Sequence, residues 1–128
     1  MPAPIRVLLV EDSDAYRDSL AFLLGRHPGI EVVGAVGEGA AAAGAAARLA
    51  PDVVVLDYRL PDVDGERAAE EVGARCPRAA VVFLSASAGE EEVAAARRRG
   101  ARLVRKDEGV ETLVAAVRDA AGRERAWS

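Results

Sequence analysis

Five short runs, mostly apolar, four of them halting abruptly at a polar or charged residue and each followed by a helix-compatible stretch, set the fold of this chain. Ile5–Val10 (IRVLLV), Ile30–Val36, Val53–Leu56 (VVVL), Ala80–Leu84 (AVVFL) and the less apolar Arg102–Arg105 read as strands. Runs this continuous fit strands covered on both faces, whereas a sheet with one wet face would show strict alternation. Between them lie helical stretches. Ser13 or Asp14 caps a helix reaching about Leu24, with Tyr16, Leu20, Leu23 and Leu24 on one face and Gly25 closing it. Pro28-Gly29 makes a turn. Further helices are expected over Ala40–Leu49, Glu66–Ala74, Glu90–Arg99 (capped by Gly100) and Val110–Ala121, with Leu60–Gly65 as a loop. Strict strand–helix alternation predicts an α/β, doubly wound domain: a parallel sheet, helices on both faces and right-handed crossovers.

Composition narrows what such a domain can be. At 128 residues the chain is one domain of ordinary size, and 28 of its residues are alanine, so its core is thin and closely packed. Seventeen basic against 21 acidic residues argue against gripping a nucleic-acid backbone over a broad surface. One cysteine, Cys76, and one histidine, His27, exclude an intramolecular disulfide, a cysteine knuckle and a multi-histidine metal site. There is no signal-like stretch after Met1-Pro2 and no apolar run of membrane-spanning length, so the expected setting is the cytoplasm.

In open parallel sheets, ligands sit outside the carboxyl ends of the strands, at the point where strand order reverses. There this chain places Glu11 and Asp12 after the first strand, Asp57 after the third, Ser85 after the fourth and Lys106 after the fifth. Each alone is unremarkable as a cap, a turn or a surface residue; their joint placement on one rim is the signal. Three close carboxylates need a compensating cation to stay ionised. Hard oxygen ligands without His or Cys select Mg²⁺, Mn²⁺ or Ca²⁺, and two or three carboxylates plus waters suit Mg²⁺. A hydroxyl and a lysine nearby supply what a transferred phosphoryl group requires. Asp57, at the centre, is the candidate nucleophile, since carboxylates form aspartyl-phosphate intermediates.

These residues, with VVLDYRLPDVDG around Asp57, VVFL before Ser85 and Lys106 after the last strand, resemble the receiver domain of bacterial two-component response regulators over essentially the whole of residues 1–128. The resemblance implies a flavodoxin-like (βα)5 sandwich with strand order 2-1-3-4-5. It implies that Asp57 accepts a phosphoryl group from a sensor histidine kinase. Asp12, Asp57 and the backbone carbonyl of Arg59 would bind Mg²⁺ (or Mn²⁺), with Glu11 acting through water. Ser85 and Lys106 would hold the phosphoryl oxygens and report its arrival to the face formed by the fourth helix, fifth strand and fifth helix. No external substrate is turned over on this reading. Pro61 stiffens the loop after Asp57, Gly65 eases the turn into the third helix, and small Ala86 leaves the site open to water for hydrolysis.

Two positions depart from the family pattern: Leu103 stands where Tyr or Phe is usual, and Asp107 follows Lys106 where Pro is commoner. The second departure is similar to the subfamily with a LuxR-type helix-turn-helix output domain. No such domain is expected within residues 1–128, so the chain reads either as a stand-alone receiver acting on a downstream protein or as a piece of a longer regulator whose DNA-binding output domain is missing here. Arg97, Arg98, Arg99, Arg102 and Arg105 form a basic stretch that is either a solvated face or the match for Glu111 or Asp119 of a second copy in a homodimer. Rival readings are a receiver working only as a phosphorylation-independent binding module, and a haloacid-dehalogenase-type phosphatase. The phosphatase needs a carboxylate where Arg59 stands.

Overall fold

The computed structural model describes residues 3–87 and 89–125, with side chains through residue 122. Its strands are β1 (Ile5–Val10), β2 (Ile30–Val36), β3 (Val53–Asp57), β4 (Ala80–Ser85) and β5 (Arg102–Arg105), and its helices α1 (Asp14–Gly25), α2 (Ala42–Leu49), α3 (Gly65–Arg75), α4 (Glu90–Arg98) and α5 (Val110–Arg125). Single 3₁₀ turns at Gly39–Ala41 and Lys106–Glu108 lead into α2 and follow β5. All strand pairings are parallel, in the order β2-β1-β3-β4-β5. The expected fold class and strand order are what the chain adopts.

Strand alternation divides the core in two. Val7 and Leu9 of β1, Val53 and Val55 of β3, and Val82 and Leu84 of β4 pack with Leu20, Leu24, Leu113 and Val117 of α1 and α5. Their neighbours Leu8, Val10, Val54, Leu56 and Phe83 face Ala42, Ala45 and Ala46 of α2, Ala68 and Val72 of α3, and Ala96 of α4. The alanine-rich helices present methyl groups to the sheet, and on β2 Gly34 leaves room for Leu49 of α2, whose Cδ1 would stand 2.6 Å from a Cβ there. Among the described residues, no helix is long and apolar enough to cross a membrane.

The helix ends show where local chemistry differs from its sequence reading. Of the two capping candidates for α1, Ser13 takes the role, its hydroxyl accepting from the Tyr16 N–H at 3.4 Å. Gly25, expected to close α1, is its last helical residue. Arg26 remains right-handed, and the positive φ falls on Gly29 (82°) in the turn beyond. The apolar face of α1 is Tyr16, Leu20 and Leu24, at successive i+4 positions; Leu23 lies off that line and is exposed. Ala50 (φ 49°) ends α2 in the left-handed region, because Pro51 bars the residue before it from continuing the helix. Gly100 (φ 78°) ends α4 as expected.

Part of the basic stretch, Arg102 and Arg105, and both acidic counterparts are engaged within the chain. Arg102 pairs with Asp119 at 3.1 Å, and Glu111 lies 3.3 Å from His27 Nε2, whose Nδ1 is 2.9 Å from the Leu23 carbonyl. Cys76 is half-buried at the end of α3.

Two anchors fix the loop after Asp57. Asp64 caps α3, accepting from Glu66 N–H at 2.8 Å and Arg67 N–H at 3.3 Å. Gly65, expected to supply a flexible turn, is required for space instead. Its N–H donates to the Tyr58 carbonyl at 3.1 Å, and a Cβ there would lie 2.5 Å from that oxygen and 2.8 Å from Tyr58 Cα. Asp62 reaches across to the turn before α2, accepting from Gly39 N–H (3.0 Å) and Ala40 N–H (2.9 Å). The hydrogen bond from Ala40, ahead of that from Gly39, holds its carboxyl below the usual 3.8.

Gly65→Ala should therefore destabilise the fold by about 1–3 kcal/mol in urea unfolding, since the backbone itself must shift to admit the methyl group. A depressed folded-state pKa stabilises the fold above the unfolded value, and that contribution is lost as pH falls through the folded one. Asp62→Ala should then lower the melting temperature at neutral pH, with the gap to the parent protein closing once the pH is well below 3.8.

Candidate functional site

Strand order reverses between β1 and β3, and the carboxyl ends of these two strands carry Glu11 and Asp57. Both side chains are buried, while Asp12 beside them is exposed. Carboxylate oxygens of Glu11, Asp12 and Asp57 lie within 4.8 Å of one another. The β3 register sets this position: Leu56 faces the core and pairs with Phe83 of β4, so Asp57 emerges at the rim. Tyr58 then turns inward to stack edge-on against Phe83, ring centroids 5.2 Å apart.

Each buried carboxylate is fully engaged. Glu11 Oε2 accepts from the Ser13 N–H at 2.9 Å and Oε1 from Lys106 Nζ at 2.6 Å. Asp57 Oδ1 accepts from the Arg59 N–H at 3.0 Å and Oδ2 from Lys106 Nζ at 3.1 Å. Lys106, at the end of β5, thus bridges the two strands whose ends meet the crevice. Burial draws its ammonium down in pKa, but the hydrogen bonds and charges of Glu11 and Asp57 outweigh this and leave it above the usual 10.5. Asp12 is held above its usual 3.8, first by hydrogen bonding with Glu11, then by desolvation and by the Glu11 charge.

One ammonium among three carboxylates leaves a local excess of negative charge in a partly desolvated crevice. The donors are hard oxygens without a nitrogen or sulfur ligand, which fits a hard divalent cation of the Mg²⁺ class.

Of the expected site residues, Glu11, Asp12, Asp57 and Lys106 are brought together. Ser85 ends β4, paired with Arg105 of β5, and is fully buried; its hydroxyl donates to the Ser87 carbonyl at 2.5 Å. Arg59 enters through its N–H on Asp57, while its guanidinium pairs with Glu92 in the first turn of α4. Leu103 pairs with Phe83 and packs into the α2–α4 side of the core.

Sequence reasoning missed three contributors. Arg17 Nη1 donates to the Glu11 carbonyl at 2.8 Å. Tyr16 lies beneath Lys106. Asp62 ties the loop after Asp57 to α2. One signal went unused: Lys106 is the only lysine among 17 basic residues, a point charge where this chain otherwise uses arginine.

Known proteins resemble this chain in sequence and fold. The chain is 38% identical over 138 residues to protein-glutamate methylesterase/protein-glutamine glutaminase 5 of Anaeromyxobacter dehalogenans, covering 96% of this chain and 38% of that protein. A relative of the same description from Alkalilimnicola ehrlichii is 40% identical over 81 residues, of which the chain covers 21%. The chain therefore spans well under half the length of these curated relatives. Among solved structures, the signal receiver domain of the response regulator NarL from Mycobacterium tuberculosis superimposes with a TM-score of 0.86 at 32% identity, covering 94% of this chain and 98% of that one. The response regulator domain of Thermotoga maritima CheB gives 0.84 at 27% identity, covering 93% and 97%. Residues 7–118 match the family described as the response regulator receiver domain, and with the acidic crevice, the bridging lysine and the 2-1-3-4-5 sheet in place, the chain belongs to that family.

Proposed function

We propose that this receiver domain, acting in the cytoplasm, takes a phosphoryl group onto Asp57 from the phosphohistidine of a sensor histidine kinase. The observation that carries the reading is the placement of Asp57, buried at the switch point of the sheet, with Lys106 Nζ on its Oδ2. In the transfer a carboxylate oxygen of Asp57 attacks phosphorus, an O–P bond forms, the N–P bond to the donor histidine breaks, and the imidazole keeps the electron pair. The transition state is loose, with charge spread over the equatorial phosphoryl oxygens, so positioning and electrostatics do most of the work.

The chain supplies those directly. Asp12 and Asp57, with the Arg59 backbone carbonyl, would be the oxygen donors for Mg²⁺ (Mn²⁺ has the same preferences), and Glu11 is held beside them by Ser13 and Lys106. When bound, the cation neutralises the carboxylates and the incoming phosphoryl oxygens. Lys106 exchanges its contact with Asp57 Oδ2 for a phosphoryl oxygen, and Ser85 does so by giving up the Ser87 carbonyl. Those exchanges, at the ends of β5 and β4, carry the signal toward α4, β5 and α5 for binding of a downstream partner or a second copy. On this reading Asp57, Ser85 and Lys106 serve only the chain's own phosphorylation and its hydrolytic reversal. The rival is a phosphorylation-independent binding module, favoured by the aliphatic Leu103 at the usual aromatic switch position.

Incubation with acetyl phosphate and Mg²⁺ should add one phosphoryl mass by intact-protein mass spectrometry. The adduct should be absent from Asp57→Asn and from samples with the metal chelated. Lys106→Met should slow its formation by about 10²-fold, the scale of removing one oriented donor from a developing anion. No adduct on a folded protein, with a control receiver phosphorylated in parallel, overturns the reading in favour of the binding module.

A further inference from the structure

Lys106 has a third neighbour besides its two carboxylates. Its Nζ stands over the ring of Tyr16, 4.5 Å from the centroid, within the range where an aromatic face attracts a cation. Tyr16 is half-buried in the first turn of α1 and packs against the α1–α5 side of the core. Its place follows from the cap: Ser13 accepts from the Tyr16 N–H and, through its own N–H, holds Glu11 Oε2. One turn of helix therefore sets both the carboxylate that Lys106 binds and the ring beneath it. Burial keeps the phenol protonated above its usual 10.0, so the ring meets the ammonium as a neutral face.

We propose that Tyr16 is a positioning residue for Lys106, its ring face seating the ammonium between Glu11 and Asp57 so that the lysine is already aimed when a phosphoryl group arrives. The inference rests on the phosphoacceptor reading and extends it to α1. A lysine side chain loses much rotamer freedom when fixed, and a ring that restrains it beforehand removes part of that cost from the transfer step. Unlike the Asp57 contact, the ring contact persists while Lys106 exchanges Asp57 Oδ2 for a phosphoryl oxygen. Because the attraction is to the π face, the hydroxyl is dispensable and the ring is not.

The unique lysine makes the test direct. Lysine labelled with carbon-13 at Cε gives one side-chain signal, that of Lys106. In the parent protein its ε protons should be shifted upfield by the ring. Tyr16→Leu, which keeps apolar bulk for the core, should return them toward the free-lysine position and slow phosphorylation by acetyl phosphate and Mg²⁺ about 3- to 10-fold. Tyr16→Phe should restore both shift and rate. Thermal melts establish that the variants are folded, and Tyr16→Met replaces the leucine variant if that one is not. If the folded leucine or methionine variant leaves either the shift or the rate unchanged, or if Tyr16→Phe fails to restore them, the proposal is overturned. A parent protein that takes no phosphoryl group overturns the phosphoacceptor reading instead, and the ε-proton shift then decides by itself whether the ring seats the lysine.

Discussion

Two buried carboxylates from adjacent strands, joined through a single ammonium, are the constraint around which this domain is arranged. Glu11 and Asp57 lie where β1 and β3 end side by side, and left alone their charges would repel in a desolvated crevice. Lys106 arrives from β5, two strands away from β3, and holds one oxygen of each. The remaining oxygen of each is taken by a backbone N–H, from Ser13 and Arg59. Every one of these contacts comes from a loop at the carboxyl end of the sheet. The sheet order is thus what makes the cluster, and the cluster ties the outer strand to the centre. Breaking one partner of such a network leaves a buried charge uncompensated, which costs far more than the pair contributes when intact.

The elements and the rim were legible because parallel strands buried on both faces advertise themselves as apolar runs, and four of the five runs stop at a polar or charged residue. Val53–Leu56 before Asp57 and Ala80–Leu84 before Ser85 are of this kind, and both residues prove to be the last of their strands. What was not legible depended on geometry between elements. Gly65 reads as a flexible turn, yet its need is for space against the Tyr58 backbone, which no local pattern encodes. Leu23 looks apolar enough for the core, but the face of α1 is fixed by the tilt of the helix on β1 and β2, and Leu23 falls outside it. Asp62 and Arg17 act across 23 and 6 residues, as acceptor and donor to backbone groups whose positions only folding defines.

Arginine supplies most of the positive charge of this chain, and its arginines hold structure together. Arg6 donates to the Leu49 carbonyl, Arg17 to Glu11, Arg118 to Pro28, and Arg102 pairs with Asp119. A planar fork suits such fixed acceptors. On the proposed reading, the one lysine stands where a cation must release one oxygen and take another, a task for a compact point charge on a flexible stem. That division of labour between the two cations singles out Lys106 from composition alone.

The beginning of α1 is then as much part of the site as the loop after Asp57. Ser13 caps the helix and holds Glu11, Arg17 braces the Glu11 carbonyl while pairing with Asp14, and Tyr16 lies beneath Lys106. With the half-buried Leu103 packed on the opposite half of the core, Tyr16 is the aromatic ring that meets the lysine. It sits on the α1–α5 side of the sheet. On the proposed reading, a displacement of Lys106 toward a phosphoryl oxygen reaches α1 through the ring, and through Leu20 and Leu24 the apolar layer shared with α5. The proposed change at Asp57 then has a path into the α1–α5 face, because the group that would move stands on the Tyr16 ring.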